Sequence, residues 1–139
     1  MKRFYIIFIL TLLILAGEIS TYVLAANSTN ETVTIVNAHS YPNPFDNEKE
    51  VTKIKFKIKS EVALNDVVIS IMIVDFNGKK VWTKKLERAI VTPGTNDEFE
   101  IPWGGENDIG EKVANGLYFC KIIVEANNTV YKVIKILVK

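Results

Sequence analysis

The sequence has one cysteine and one histidine in 139 residues. Exported domains of this size often lean on disulfides, and a lone Cys120 forms none within the chain. Packing must therefore hold the fold. Cys120 stands in the apolar run 117–126, where a thiol is expected to act as a small buried hydrophobe. His39 has no second histidine with which to build a metal site, and it lies beside a proline-rich bend. A structural role is expected of it. A serine or cysteine nucleophile needs a base close by, and no elbow motif surrounds Cys120 or any serine. The reading is therefore no catalytic residue, no cofactor, no metal ligand and no enzyme activity.

An excess of charge of one sign is also missing. The formal net charge is +1, without the basic footprint of a nucleic-acid binder. Charges are interspersed, with one tilt. Lys53, Lys55, Lys57 and Lys59 line one segment, while Asp97, Glu98, Glu100, Glu106, Asp108 and Glu111 fall in another.

A long hydrophobic run occurs at the start. Lys2 and Arg3 precede an apolar stretch, residues 6–17, broken only by Thr11 and closed by Glu18. That is shorter than the ~18 residues of a membrane span. Val23-Leu24-Ala25 then offers small residues where a signal peptidase reads. The expected organisation is a signal peptide over 1–25, cleaved after Ala25 or Ala26, a flexible lead-in over 26–31, and one domain over 32–139. An uncleaved anchor is the alternative. No cysteine comes after the run to take a lipid near it. Membrane contact is expected only through this segment during export. Losing Lys2, Arg3 and Glu18 leaves the remainder formally neutral.

The rest of the chain is strand-like, with no helical periodicity. Thr32 to Ala38 is the first strand. Tyr41-Pro42-Asn43-Pro44-Phe45 is a rigid bend, because each proline fixes its own φ and extends its predecessor. Tyr41 and Phe45 are both expected to pack it against the body. Thr52 to Lys59 alternates Ile54, Phe56 and Ile58 with four lysines, so one face is core and the other water. Val67 to Asp75 suits a central strand, with Ile69, Ile71 and Ile73 inward and Val68, Met72 and Val74 covered by something else. Asn77-Gly78 signals a type I′ hairpin turn. It returns the chain along Lys79 to Leu86, with Val81 or Trp82 inward. Pro93-Gly94 is another turn. Glu98 to Trp103, Leu117 to Ala126 and Val130 to Lys139 complete seven strands. Trp103 is placed to plug one end of the sandwich, past which Gly104 and Gly105 turn. Tyr118 is placed to bond a backbone group. Seven short strands without crossover helices give an all-β, immunoglobulin-like antiparallel β-sandwich.

The loop from Glu106 to Glu111 is the best candidate for a weak calcium site. Its spacing does not meet the EF-hand pattern, so a solvated turn is expected. Asn27, Asn30 and Asn127 head short glycosylation patterns that stay unassigned.

Several landmarks line up in order. They are Tyr41-Pro-Asn-Pro-Phe45, Thr52-Lys-Ile-Lys-Phe56, and Val74-Asp-Phe-Asn-Gly-Lys79 with Val81. Pro93-Gly94, Trp103-Gly104-Gly105 with Asn107 and Gly110, Val113, and Asn115-Gly-Leu-Tyr-Phe119 complete the set. Together they resemble the immunoglobulin-like domain of the flagellar hook-cap scaffold protein, and the type IX secretion C-terminal sorting domains look similar. The resemblance spans about 36–139. It implies an accessory domain: a spacer, an adhesion or docking module, or a sorting signal.

The expected function is a secreted or cell-envelope, non-enzymatic structural or interaction module in the periplasm or at the cell surface. The alternatives are a glycan- or protein-binding adhesion module using the loops 104–113 and 41–45, or a sorting-type domain. The expected partner is another envelope or surface protein, or a second copy reached by strand donation from 32–38.

Overall fold

The structure is a computed structural model and describes residues 32–139. The expected signal and lead-in lie outside the described residues. Seven strands run in order: β1 (Thr34–Tyr41), β2 (Thr52–Lys59), β3 (Leu64–Val74), β4 (Lys80–Val91), β5 (Asn96–Trp103), β6 (Gly116–Glu125) and β7 (Thr129–Val138). They form a three-stranded sheet, β1-β2-β5, and a four-stranded sheet, β4-β3-β6-β7. Every strand pair is antiparallel. This is the all-β sandwich of immunoglobulin-like type read from the sequence.

Alternation makes each sheet two-faced. In β2, Thr52, Ile54, Phe56 and Ile58 are buried while Lys53 and Lys59 are exposed. In β6, Tyr118, Cys120, Ile122 and Val124 are buried. Ile69, Ile71 and Ile73 of β3 lie beside them, with Ile71 opposite Ile122 and Ile73 opposite Cys120. Among the described residues the core runs from Val33 to Val138 and draws on all seven strands or their flanks. Cys120 is fully buried, and burial pushes its thiol up to about 12. At neutral pH it stays a protonated packing group, since the thiolate is the reactive species.

The lysine-rich and acid-rich segments meet across β2 and β5. Their register sets Lys55 opposite Glu100 and Lys57 opposite Glu98. Glu100 takes Lys53 at 2.7 Å and Lys55 at 2.8 Å, and Glu98 takes Lys57 at 3.3 Å. Hydrogen bonding from Lys53, then Lys55, holds the Glu100 carboxyl below its ordinary value. Such exposed pairs contribute little to stability. They do oppose a register slip, which would set each lysine against the wrong neighbour.

Several expectations are corrected. The Asn77-Gly78 turn is not type I′, which needs positive φ at both central residues. Only Gly78 has positive φ, at 81°. The turn spans Asp75–Gly78, closed by Gly78 N–H donating to Asp75 O at 3.0 Å, and the register shifts between Lys80 and Trp82. Asp75 Oδ1 also accepts from the amides of Asn77 and Lys79, which replaces the second left-handed residue as the organising element.

Tyr41 does not pack the bend down, since it is 70% exposed, whereas Phe45 is fully buried. Val68, Met72 and Val74 are half-buried on the outer face of the four-stranded sheet, and no described element lies over them. Trp82 pairs with Ile73 and so points inward, half-buried.

β1 begins two residues later than expected and reaches Tyr41, with a bulge at Asn37, whose φ is 55°. It is bonded to β2 of its own chain. The bend after it carries cis Tyr41–Pro42 and Asn43–Pro44 peptide bonds and crosses to the other sheet. There Phe45 N donates to Leu137 O and Lys139 N donates to Phe45 O, both at 3.0 Å, in a parallel bridge to β7.

Candidate functional site

The end of the sandwich where β5 stops and β6 starts is built around Trp103, which is fully buried. Its ring meets Phe45 edge-on at 5.7 Å and Tyr118 at 5.8 Å. Its Nε1 donates to Glu106 O at 2.8 Å. Trp103 thus plugs the sandwich, as expected, and also pins the loop beyond it. Tyr118 donates its hydroxyl to Ala114 O at 2.8 Å. That places a tyrosine corner at the entry to β6, with the phenol tied back to the chain just upstream. Burial raises its pKa.

The loop 104–113 is tied down on two sides. On one side it meets the segment after Phe45. Asn47 is nearly fully buried, and its Nδ2 donates to Val113 O at 2.9 Å. Lys112 Nζ donates to Asn47 O at 2.6 Å and Gly104 O at 2.8 Å. Val113 N donates to Gly105 O at 2.8 Å. The loops 41–45 and 104–113 are therefore brought to one end, as the adhesion reading requires. No sequence signal points to Asn47 or Lys112. Both sit in polar stretches that read as ordinary solvated loop.

On the other side the loop docks on the edge of β4. Asp108 N donates to Val81 O at 2.9 Å, and Thr83 N donates to Asp108 Oδ1 at 2.8 Å. Thr83 Oγ1 adds bonds to both carboxylate oxygens, and Lys80 lies 3.5 Å away. Within the loop, Asn107 Oδ1 accepts from the amides of Ile109 and Glu111. The side-chain oxygens of Asn107 and Asp108 are thus both engaged by donors of the protein itself. No group of three or more His, Cys, Asp or Glu suited to a metal occurs among the described residues. The docked loop also covers part of an edge strand whose free N–H and C=O groups would otherwise invite another chain.

The bond from the Thr83 amide is the main cause holding the Asp108 carboxyl below its ordinary value of 3.8. A lowered folded value means the tie is fully present above 3.8 and is lost as pH falls through the lowered value. The Thr83 amide proton shift is therefore expected to titrate with a midpoint below 3.8, and not to titrate in Asp108→Ala. A midpoint at or above 3.8, measured by NMR, would contradict the docking.

Between the Asp75–Lys80 turn and this loop lies an open groove of about 370 Å³, floored by Val113 and Tyr118. Phe76 and Ile109 stand exposed at this end, at 74% and 78%. Asp75 and Asp108 at its rim are both occupied in backbone bonds. His39 has a backbone partner too. It is exposed and donates from Nδ1 to Asn37 O at 2.8 Å. Asn127 is exposed in the β6–β7 turn, whereas Asn27 and Asn30 lie outside the described residues.

Comparison with known proteins adds the family. Residues 39–136 match the family described as secretion system C-terminal sorting domain. No curated protein matches the chain. Among solved structures, dimeric latent PorU from Porphyromonas gingivalis is similar at TM-score 0.57 and 22% identity, over 77% of this chain and 9% of that one. The C-terminal domain of wzt is similar at TM-score 0.60 and 18% identity, over 77% of this chain and 73% of that one. The β-glucuronidase of Parabacteroides merdae is similar at TM-score 0.54 and 18% identity, over 76% of this chain and 13% of that one. These likenesses establish the fold, and the chain spans only a small part of the length of PorU. The family match covers the sandwich from the middle of β1 almost to the end of β7, and on it the chain belongs to the secretion system C-terminal sorting domain family, whose non-catalytic domains mark proteins for the cell surface or the outside.

Proposed function

We propose that this sandwich is the export address of the polypeptide that carries it, read as a folded unit by proteins of the type IX secretion route. The observation that carries the reading is the coincidence of the family match with the folded unit: 39–136 lies within the sandwich of 34–138. An address of this kind needs a stable, recognisable surface and no chemistry. The end built on Trp103 supplies a rigid surface, and Asp75 and Asp108 are committed to holding it. The partner is an envelope protein, and nucleic acid is not among the ligands. The sorting role is preferred over hook-capping, because the family match is to the sorting branch.

The test is a reporter fused ahead of residues 26–139, behind an export signal, in a bacterium with type IX secretion. The reporter is expected at the surface or in the medium, and in the periplasm when the secretion route is deleted. Equal retention in both strains would dismiss the sorting role. A second reading, adhesion, is favoured by the groove beside exposed Phe76 and Ile109. It requires that Phe76→Ser with Ile109→Ser abolish binding to a surface ligand while delivery persists.

A further inference from the structure

On the three-stranded sheet, Lys53, Lys55 and Lys57 all have carboxylate partners. On the four-stranded sheet, β4 likewise pairs Lys80 with Asp108 and Lys85 with Glu87, while β3, β6 and β7 carry an apolar strip on the outer face. The registers set Val74, Phe119 and Lys135 in one row, and Met72, Lys121 and Val133 in the next. Ser70, Ile123 and Tyr131 make a third row, and Leu117 pairs with Leu137 beyond the first. Tyr131, Val133 and Leu137 are exposed at 65%, 46% and 42%. With strands about 4.8 Å apart and rows about 7 Å apart, the surface is roughly 400 Å². That footprint takes in the two lysines, and patches of this size are often functional.

The cations say what covers it. Lys121 sits in the central strand of the patch, its Nζ 4.5 Å above the Tyr131 ring centre. Among the described residues, neither Lys121 nor Lys135 has an acidic partner. Glu125 is the single acid of β6 and lies in the last row, opposite Thr129. A second copy laid face to face would bring the same two lysines into the interface. A dry protein interface is depleted of lysine at its centre, since a buried ammonium without a partner is costly. A lipid surface suits both features. Lysine stems lie along apolar surface while their heads stay among polar groups. Tyrosine favours the same depth, and anionic headgroups attract the unpaired ammonium groups.

We propose that the outer face of the four-stranded sheet docks on an anionic lipid surface through its apolar rows and the unpaired Lys121 and Lys135. The inference stands on this face alone and does not need the sorting role.

Residues 26–139, which carry the core of the sandwich, are mixed with vesicles of phosphatidylcholine and phosphatidylglycerol and sedimented. Binding is expected, weakening as salt rises and absent on pure phosphatidylcholine. Lys121→Gln and Lys135→Gln should each reduce partitioning about fivefold, the effect of one cation near such a surface. Tyr131→Ser with Leu137→Ser should reduce it further, and Lys57→Gln on the opposite sheet should leave it unchanged. Circular dichroism of each variant confirms that the sandwich persists. No binding by the unaltered protein overturns the proposal, as does equal binding to neutral vesicles or an equal loss in Lys57→Gln. A dimer in the ultracentrifuge with no vesicle binding would assign the face to a second copy instead.

Discussion

Trp103→Ala is expected to remove about 3–5 kcal/mol from the folding stability, the cost of emptying a large buried aromatic site. Trp103 is wholly buried between Phe45 and Tyr118, two rings that come from the bend and from β6. Removing it leaves both without a partner at the mouth of the sandwich. The Glu106 carbonyl also loses its donor, which adds about 1 kcal/mol. Domains carry ~5–15 kcal/mol in all, so the variant should sit near the edge of folding. Urea unfolding monitored by circular dichroism measures this. Trp103→Phe should recover much of the loss, because ring contact returns and only the hydrogen bond stays missing. A midpoint change equivalent to less than about 1 kcal/mol in Trp103→Ala would show that the end is not built on this ring.

The second large effect is expected at Gly105. Its φ is +78°, where a side chain costs about 1–2 kcal/mol. An added Cβ would also stand 2.5 Å from the Cβ of Asn47, an atom close to the backbone that cannot swing away. Overpacking of this kind costs ~1–3 kcal/mol. Moving Asn47 would further strain its bond to Val113 O. Gly105→Ala is therefore expected to lose roughly 2–5 kcal/mol. Gly78→Ala is the control, because its φ is +81° but nothing lies within 4 Å of an added Cβ. The difference between the two variants isolates the collision with Asn47. Equal losses in thermal melts would mean that the loop yields at no cost.

The strands legible in the sequence are those with one wet face. The bounds of β2 match the expected Thr52–Lys59, because four lysines mark every outward position. β4 runs to Val91, five residues past the expected end at Leu86. It is an edge strand with exposed residues on both sides, and Arg88, at φ 59°, breaks its alternation without glycine to announce it. β3 starts ahead of the expected Val67 for a similar reason, since Asp66 takes φ 57° beside the register shift after Leu64. The plug and the tyrosine corner are legible, because large aromatics at strand ends have few places to go. The ties that shape the loop are not. Asp108 reaches Thr83, and Lys112 reaches Asn47, across stretches with no periodic signal. Such contacts depend on which loops the topology brings together, and composition does not encode that.

The parallel bridge at Phe45 bears on how the domain responds to load. Phe45 is gripped on both sides by residues 137 and 139 of the last strand segment, through two bonds of equal length. Asn43 adds two more, its Nδ2 donating to Lys135 O and its Oδ1 accepting from Leu137 N. These four bonds run between two parallel segments, so tension drawing those segments apart lengthwise loads them across their length. They must shear together, since none can peel ahead of the rest. The bend after β1 and the end of β7 are thereby clasped together, so the two ends of the domain are coupled by bonds that no sheet pairing supplies.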